Sequence, residues 1–140
     1  FIAQNIELFD EEQTIIVFQP KIEAIWIHAD KDMLSQVLHN LLLNAKQATD
    51  SITEPQIFID VQTIENKVLI SIKDNGVGIS LEQQERIFTP YFTTKSSGSG
   101  IGLSVVRQII EKHDGEVSFE SLVGSGTTFY IKLARAQSKS

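Results

Sequence analysis

Hydrophobic residues recur along the chain with two different periods, and these periods separate predicted helices from predicted strands. Ile2, Ile6 and Phe9 fall at helical spacing and predict a short first helix. The longest helical pattern begins after Asp30, a favourable N-cap residue, and runs to about Thr49. Its apolar residues share one arc of the helix, so we expect this helix to pack one face against a core.

Short apolar runs, several of them with a period of two, predict the strands. They fall at residues 14–18, 24–28, 56–64, 67–73, 116–121 and 127–133. Two further helices are expected at residues 81–87 and after Gly102, the second ending with Gly115 just beyond its C-cap. The pattern stops at Leu133, so we expect one folded domain over residues 1–133 and a flexible tail over residues 134–140.

The long helix carries two asparagines, Asn40 and Asn44, on the border of its apolar arc. Asparagine is a poor helix former, so this placement is costly unless the amides have partners. One interpretation is a polar seam that hydrogen-bonds a neighbouring loop. The other is that the amide oxygens face a bound metal and phosphate, because neutral oxygen ligands suit Mg²⁺.

Asp74 stands at the end of an apolar strand and is followed by Gly76 and Gly78. A carboxylate held there is a strong acceptor for an amino group, and the glycines allow a flat ligand to approach the backbone. Asn-Gly after a strand also indicates a hairpin turn. Ser80 and Gln83 have the spacing of a capping box, which favours a helix over a return strand, but the turn alone leaves both interpretations open.

A glycine-rich segment over residues 98–102 follows Lys95 and precedes a helix. Free backbone N–H groups, the helix dipole and a lysine together attract phosphate. The glycine spacing fits neither a dinucleotide fingerprint nor a P-loop. On its own the segment is better interpreted as a mobile linker.

Composition narrows the classes of function. With 140 residues, 41% hydrophobic and 21% charged, the chain is long enough for a single core. It has no cysteine and therefore no disulfide bond. Its net charge of -6 argues against nucleic acid as a partner. No apolar run reaches the length of a membrane span, so we expect a cytoplasmic domain without direct membrane contact. The first residue is Phe1, which suggests a piece of a longer protein.

These features together describe a purine nucleotide site. The base would lie on Asp74, the metal on the asparagine helix and the phosphates under the segment from Lys95 to Gly102. A carboxylate accepts the exocyclic amine of adenine and repels the carbonyl of guanine, so the site should select ATP over GTP.

Five short motifs in this order resemble the catalytic ATP-binding domain of bacterial sensor histidine kinases, within the superfamily of gyrase, Hsp90 and the mismatch-repair ATPases. They are Asn40-Leu-Leu-Leu-Asn44-Ala45, Asp74-Asn-Gly76-Val-Gly78, Phe88-Thr-Pro-Tyr-Phe92, Gly98-Ser-Gly100-Ile-Gly102-Leu103 and Gly126-Thr127-Thr-Phe129. The match covers residues 30–133. It implies an α/β (α+β) two-layer sandwich of the Bergerat type, a mixed, mostly antiparallel sheet with three helices on one face.

The resemblance also implies a role for individual residues, with ATP and Mg²⁺ as the bound groups. Asn44 would ligate Mg²⁺, Asn40 and Lys95 would approach the phosphates in the catalytic step, and Asp74 would bind the adenine amine. Thr127 would support the base through water. The remaining nucleotide-binding positions are three phosphate-lining glycines, two glycines of the adenine wall and four apolar residues: Gly98, Gly100, Gly102, Gly76, Gly78, Ile79, Phe88, Ile101 and Leu103.

By the same resemblance, the chain would transfer the γ-phosphate of ATP to a histidine on a separate helical dimerisation domain, with a response regulator downstream. His28, His39 and His113 lack the sequence context of that histidine. ATP-hydrolysing relatives have a glutamate base where Asn40 stands, which favours transfer over hydrolysis. Two alternatives remain, a serine kinase or nucleotide-dependent switch of the anti-sigma type, and an interaction module that binds no nucleotide.

Overall fold

A computed structural model describes residues 1–9, 15–18, 25–89 and 102–136 of the chain. Five strands and four helices lie within these ranges. In chain order they are α1 (Ile2–Phe9), β1 (Ile15–Phe18), α2 (Lys31–Ala48), β2 (Gln56–Ile64), β3 (Lys67–Asp74), α3 (Leu81–Gln84), α4 (Gly102–Lys112), β4 (Glu116–Leu122) and β5 (Gly126–Ala134).

The strands form one mixed sheet in the order β1-β2-β3-β5-β4. β1 runs parallel to β2, and every other neighbouring pair is antiparallel. At the centre of the sheet, Ile72 of β3 lies opposite Ile59 of β2 and Phe129 of β5. The predicted mixed, mostly antiparallel sheet is confirmed.

Helices α2 and α4 cover one face of the sheet and pack against each other, and α1 lies against α2. Because strand side chains alternate between faces, every second residue of β3 and β5 is buried under these helices. Six side chains of α2 complete this core: Leu34, Val37, Leu38, Leu41, Leu42 and Ala45. The two-layer sandwich is therefore confirmed, with α3 as a fourth, short helix. No helix in the described ranges is long and apolar enough to cross a bilayer.

Both predicted N-caps are present. The Asp30 carboxylate accepts the backbone N–H groups of Asp32 and Met33 at 3.0 and 3.1 Å. The Ser80 hydroxyl accepts the N–H of Gln83 at 3.3 Å. Each cap satisfies N–H groups that have no partner within the helix, which is worth about 1 kcal/mol.

Three predicted boundaries were wrong. The strand expected at 24–28 is reduced to one bridge between Trp26 and Ala136 in the described part, residues 25–28. The helix expected to end at Ile87 ends at Gln84. Order continues beyond Leu133, because the Ala136 N–H donates to the Trp26 carbonyl at 2.7 Å and only 7% of Ala136 is exposed. Residues 137–140 lie outside the described ranges.

The end of α4 also differs from the prediction. Asp114, not Gly115, adopts the left-handed conformation, with φ of 56°. The N–H of Gly115 donates to the Ile110 carbonyl and that of Asp114 to the Glu111 carbonyl, which is the Schellman pattern. His113 joins this end to the start of α2, since the Asp30 N–H donates to its Nε2 at 3.0 Å.

Candidate functional site

Asp74, at the end of β3, is almost completely buried, with 1% of its surface exposed. Its Oδ1 accepts the backbone N–H of Gly76 at 2.9 Å and that of Thr127 at 3.2 Å. A buried carboxylate is tolerated only when such bonds compensate for its lost hydration. The carboxylate is therefore fixed in one orientation by its own turn and by the neighbouring strand β5.

The turn after β3, residues 74–79, lies against the C-terminal end of α2. The N–H of Val77 donates to the Ala48 carbonyl at 3.0 Å. A Cβ atom on Gly76 would lie 2.4 Å from the same carbonyl oxygen, so only glycine permits this contact. The Asn75 side chain fastens the turn to the start of β2 by accepting the Gln56 N–H and donating to the Glu54 carbonyl, both at 2.9 Å. The turn is therefore a loop held by α2, β2 and, through the bond from Thr127 to Asp74, β5, and it is not a hairpin.

Two further glycines let the β4–β5 turn approach the same loop. Gly78 has φ of 77°, and a Cβ there would lie 2.3 Å from the Leu122 carbonyl oxygen. Gly126 has φ of 120°, and its Cβ would lie 2.1 Å from the Asp74 carbonyl oxygen. Gly76 and Gly78, which were predicted to line the adenine site, thus allow close contact between chain segments within the described residues.

The two asparagines of α2 lie along the same edge of the helix as Ala48, because positions four residues apart share a face. Asn40 is half-buried, and its Nδ2 donates to the Gly102 carbonyl at the start of α4 at 3.2 Å. Asn44, also half-buried, lies between Asn40 and Ala48. At 1.5 Å per residue, about 12 Å of helix separates the Asp74 turn from Gly102. One edge of α2 therefore brings together Asp74, Asn44, Asn40 and the start of α4.

Gly102 differs from the glycines around Asp74. It has no positive φ, and among the described residues the nearest atoms to an added Cβ would be Asn40 side-chain atoms at 4.0 Å. Neither the backbone conformation nor packing within the described part of the chain therefore requires glycine at this position. Gly102 opens an 11-residue helix, whose first N–H groups point away from the helix and attract anions. A Cβ would fill space directly beside these groups, which fits a site for phosphate.

Three predicted apolar site residues have defined positions. Ile79 and Leu103 are half-buried against the core. Phe88 packs edge-on against Phe119 and Phe129, with ring centroids 5.9 and 6.4 Å apart. The predicted residues Lys95, Gly98, Gly100 and Ile101 lie outside the described ranges.

Thr127, with 3% of its surface exposed, adjoins Asp74 through its N–H, and its hydroxyl lies 2.7 Å from that of Ser121. Ser121 also accepts the N–H of Ile79 at 2.7 Å. The sequence-based prediction included Thr127 but not Ser121. Ser121 could have been found from the alternation of exposed and half-buried residues in β4, where it follows Val117 and Phe119 on the inward positions.

The arrangement offers an amine acceptor at one end, amide groups in the middle and an anion-attracting helix start at the other. Among the described residues, no group of three or more acidic or histidine side chains could hold a metal ion. The amide oxygen of Asn44 is a donor that suits Mg²⁺ when phosphate oxygens supply further ligands. These residues therefore fit a nucleotide with its metal.

The sequence of this chain is similar to those of known proteins. Residues 29–137 match the sequence model of the family described as histidine kinase-, DNA gyrase B-, and HSP90-like ATPase. The sensor histidine kinase ZraS of Salmonella typhimurium is 46% identical over 112 residues, covering 76% of this chain and 23% of ZraS. Sporulation kinase E of Bacillus subtilis is 38% identical over 137 residues, covering 94% of this chain and 18% of that protein.

A solved structure agrees with these sequence matches. The nucleotide-free catalytic domain of the histidine kinase ThkA superposes with a TM-score of 0.84 at 34% identity, covering 96% of this chain and 90% of that one. The chain spans less than a quarter of the length of the curated relatives ZraS and sporulation kinase E.

Proposed function

The chain belongs to the family of histidine kinase-, DNA gyrase B- and HSP90-like ATPases, among the catalytic domains of histidine kinases, and on this premise we propose that it transfers the γ-phosphate of Mg²⁺-ATP to a histidine. The observation that carries the proposal is the pairing of the buried Asp74 carboxylate with the open helix start at Gly102 along one edge of α2. A nucleotide has the same two ends, a base and a phosphate chain.

Asp74 recognises the base in this proposal. Its orientation is fixed by Gly76 and Thr127, so accepting the adenine amine requires no reorganisation of the carboxylate. A charge-assisted hydrogen bond of this kind is worth about 1.5–3 kcal/mol. Guanine presents a carbonyl oxygen at the same position, which a carboxylate repels.

The phosphates lie at the start of α4 in this proposal, with Lys95 and the glycines of residues 98–102 as further groups that would bind them. Gly102 leaves room beside the helix N–H groups. Asn44 provides an amide oxygen for Mg²⁺, which when bound would neutralise phosphate charge and orient the γ-phosphate.

The proposal favours transfer over hydrolysis because no carboxylate occupies the position of Asn40. An amide cannot remove a proton from water at neutral pH, and the Asn40 Nδ2 is engaged with the Gly102 carbonyl. His113 is unsuited as an acceptor, since both of its ring nitrogens already bond to the backbone of Ile109 and Asp30. The accepting histidine is therefore expected outside this chain.

The relatives ZraS and sporulation kinase E are more than four times as long as the matched region. We place the acceptor on a helical dimerisation domain of the same protein, with a response regulator as the next acceptor. ATP is supplied in the cytoplasm, which is therefore the proposed location.

The test mixes this chain with γ-labelled ATP, Mg²⁺ and a histidine-bearing helical domain from the same protein. We expect label on that domain that is lost in acid and stable in base, as phosphohistidine is. Asp74→Asn should slow labelling, and Asp60→Asn, which changes an exposed carboxylate on β2, should not. An unlabelled acceptor in the presence of bound ATP contradicts the proposal, and acid-stable label indicates a serine kinase instead.

A further inference from the structure

Four apolar side chains lie exposed at one end of the domain, on the segments around the turn after β3. Leu81, Leu122 and Val123 are 82%, 67% and 63% exposed, more than any other large apolar side chain of the described residues, and Val77 is 48% exposed. None of the four packs against the described core. Single exposed apolar residues are ordinary, but a group of them rimmed by polar residues marks an interaction site. We call these four residues the apolar tip.

The three segments that carry the apolar tip are bonded to one another. The Gly124 N–H donates to the Val77 carbonyl at 2.9 Å, so the β4–β5 turn lies against the loop after β3. Helix α3 contacts the end of β4, because the Gln84 side chain donates to the Ser121 carbonyl at 3.4 Å. The apolar tip is therefore one continuous region of the surface.

The conformation of the β4–β5 turn does not require apolar side chains. The turn is fixed by Gly124, which has φ of 87°, and by the Ser125 N–H, which donates to the Leu122 carbonyl at 3.0 Å. Turns ordinarily carry polar residues where their side chains meet water. Large apolar side chains in this place gain the free energy of burial only when a partner covers them.

Exposed carboxylates surround the apolar tip. The segments that carry it and the loop after α2, residues 48–55, 75–86 and 120–126, contain one basic residue, Arg86. The acidic residues of these segments are all exposed, and they are Asp50, Glu54, Glu82, Glu85 and Glu120. Such a charge distribution attracts a cationic partner and repels an anionic lipid surface or a nucleic acid. Charge complementarity therefore favours a basic polypeptide as the occupant.

Backbone hydrogen bonding at the apolar tip favours a helix as the docked segment. The N–H groups of Val77, Gly124 and Ser125 already donate to carbonyls of the chain. A docked strand needs free backbone groups to pair with, whereas a helix satisfies its own backbone and offers side chains. An amphipathic helix with an apolar stripe flanked by lysine or arginine matches both the apolar tip and the carboxylates around it.

We propose that the apolar tip is a docking surface for a basic amphipathic helix of a partner protein. The loop that carries Val77 begins at Asp74, whereas Gly102 lies about 12 Å away along α2. The docked helix thus contacts the domain at the Asp74 end of the candidate site and leaves the start of α4 open. This inference goes beyond the proposed function and does not depend on nucleotide binding.

The test titrates the whole 140-residue chain into a fluorescent helical peptide of leucine and lysine whose leucines share one face. We expect saturable binding that weakens as salt is added, because exposed charges are then screened. A peptide of the same composition with its leucines scattered around the helix should bind at least about tenfold more weakly.

Substitutions locate the binding surface. Leu81→Ser combined with Val123→Ser should weaken binding of the first peptide at least about tenfold, and the fold should be kept because neither side chain belongs to the described core. The matched control is Ile64→Ser, which changes a 50% exposed side chain at the opposite end of β2 and should leave binding unchanged. Glu82→Gln combined with Glu85→Gln should weaken binding and reduce its dependence on salt.

Four results would overturn the proposal. The first is no binding, or equal binding of the two peptides, which would show that the apolar tip does not recognise an amphipathic helix. The second is unchanged binding in the double serine variant, which would place the peptide elsewhere. The third is self-association of the chain in sedimentation that the same variant loses, since a second copy would then be the occupant. The fourth is binding to phosphatidylglycerol vesicles that this variant loses, which would identify a membrane instead.

Discussion

Asp74 supports its own turn before it meets any ligand. Its Oδ1 accepts the N–H groups of Gly76 and Thr127, which belong to segments 51 residues apart in the chain. The same carboxylate carries the charge that we propose recognises an amine. A substitution that keeps the oxygen acceptor and removes the charge therefore separates folding from binding.

Asp74→Asn is the substitution that does this, because asparagine retains a carbonyl oxygen for both backbone bonds. We expect ATP affinity to fall about 10- to 100-fold and the preference over GTP to narrow, since a charge-assisted bond is lost and an amide N–H faces the adenine amine. Titration calorimetry with both nucleotides measures the two effects.

The matched control is Asp60→Asn, which changes a carboxylate on the open face of the sheet. Its ATP affinity should equal that of the unsubstituted chain. If Asp74→Asn binds ATP with unchanged affinity, the carboxylate does not read the base.

Some residues of the site could be predicted from local pattern and some could not. Asp74 follows an apolar run, and Asn40 and Asn44 interrupt a helical arc, so each leaves a signal in its own segment. Ala48 contributes only its carbonyl, for which sequence has no signal. The left-handed residue at the end of α4 was predicted to be Gly115, but Asp114 also tolerates this conformation and the Schellman bonds place it there.

At the scale of elements, α2 organises the site. Its last turn receives the Asp74 loop through Ala48, and its middle reaches the start of α4 through Asn40. The six buried side chains of α2 fix the helix on the sheet, and burial of each large apolar side chain contributes about 1.5–3 kcal/mol. The helix is therefore a rigid spacer between the Asp74 loop and the start of α4, where we propose that the base and the phosphates bind.

Gly102→Ala tests the phosphate end of this spacer. Within residues 1–9, 15–18, 25–89 and 102–136 the new Cβ has no contact closer than 4.0 Å, and the φ is not strained, so the free energy of unfolding should stay the same or rise by up to about 1 kcal/mol. We expect Mg²⁺-ATP affinity to fall nonetheless, because the methyl group occupies space beside the helix N–H groups. Thermal unfolding and calorimetry on the same sample measure both.

Gly126→Ala provides the contrast. Its Cβ would lie 2.1 Å from the Asp74 carbonyl oxygen at a φ of 120°, so stability and binding should fall together. Unchanged ATP affinity in Gly102→Ala would place the phosphates elsewhere.

Elements with strong hydrophobic periodicity were predicted well. The extent of the weaker strands depends on the segments with which they pair. The pattern at 24–28 resembles a strand, but within the described part of the chain Trp26 has only Ala136 as a bridge partner, and no ladder extends from it there. Conversely, Ala134 and Ala136 carry little hydrophobic signal and are ordered by pairing with β3 and Trp26. A strand depends on its neighbours, which a local pattern does not contain.

At the scale of the whole molecule, the sheet order creates the site. β3 lies between β2 and β5, so the ends of β3 and β5 place Asp74 beside Thr127. The β2–β3 hairpin could be predicted from a short turn between two alternating runs. The adjacency of β3 and β5, which two helices and a strand of the described residues separate, was not predicted, because no local pattern contains it.

The central claim is that one site along the edge of α2 binds adenine at Asp74 and Mg²⁺-bound phosphates at Gly102. The most direct measurement is titration calorimetry of the whole chain with a non-hydrolysable ATP analogue and the matching GTP analogue, each with Mg²⁺. We predict saturable binding of the ATP analogue at one site, at least about tenfold tighter than the GTP analogue. No binding of either analogue, or equal affinity for both, would contradict the account.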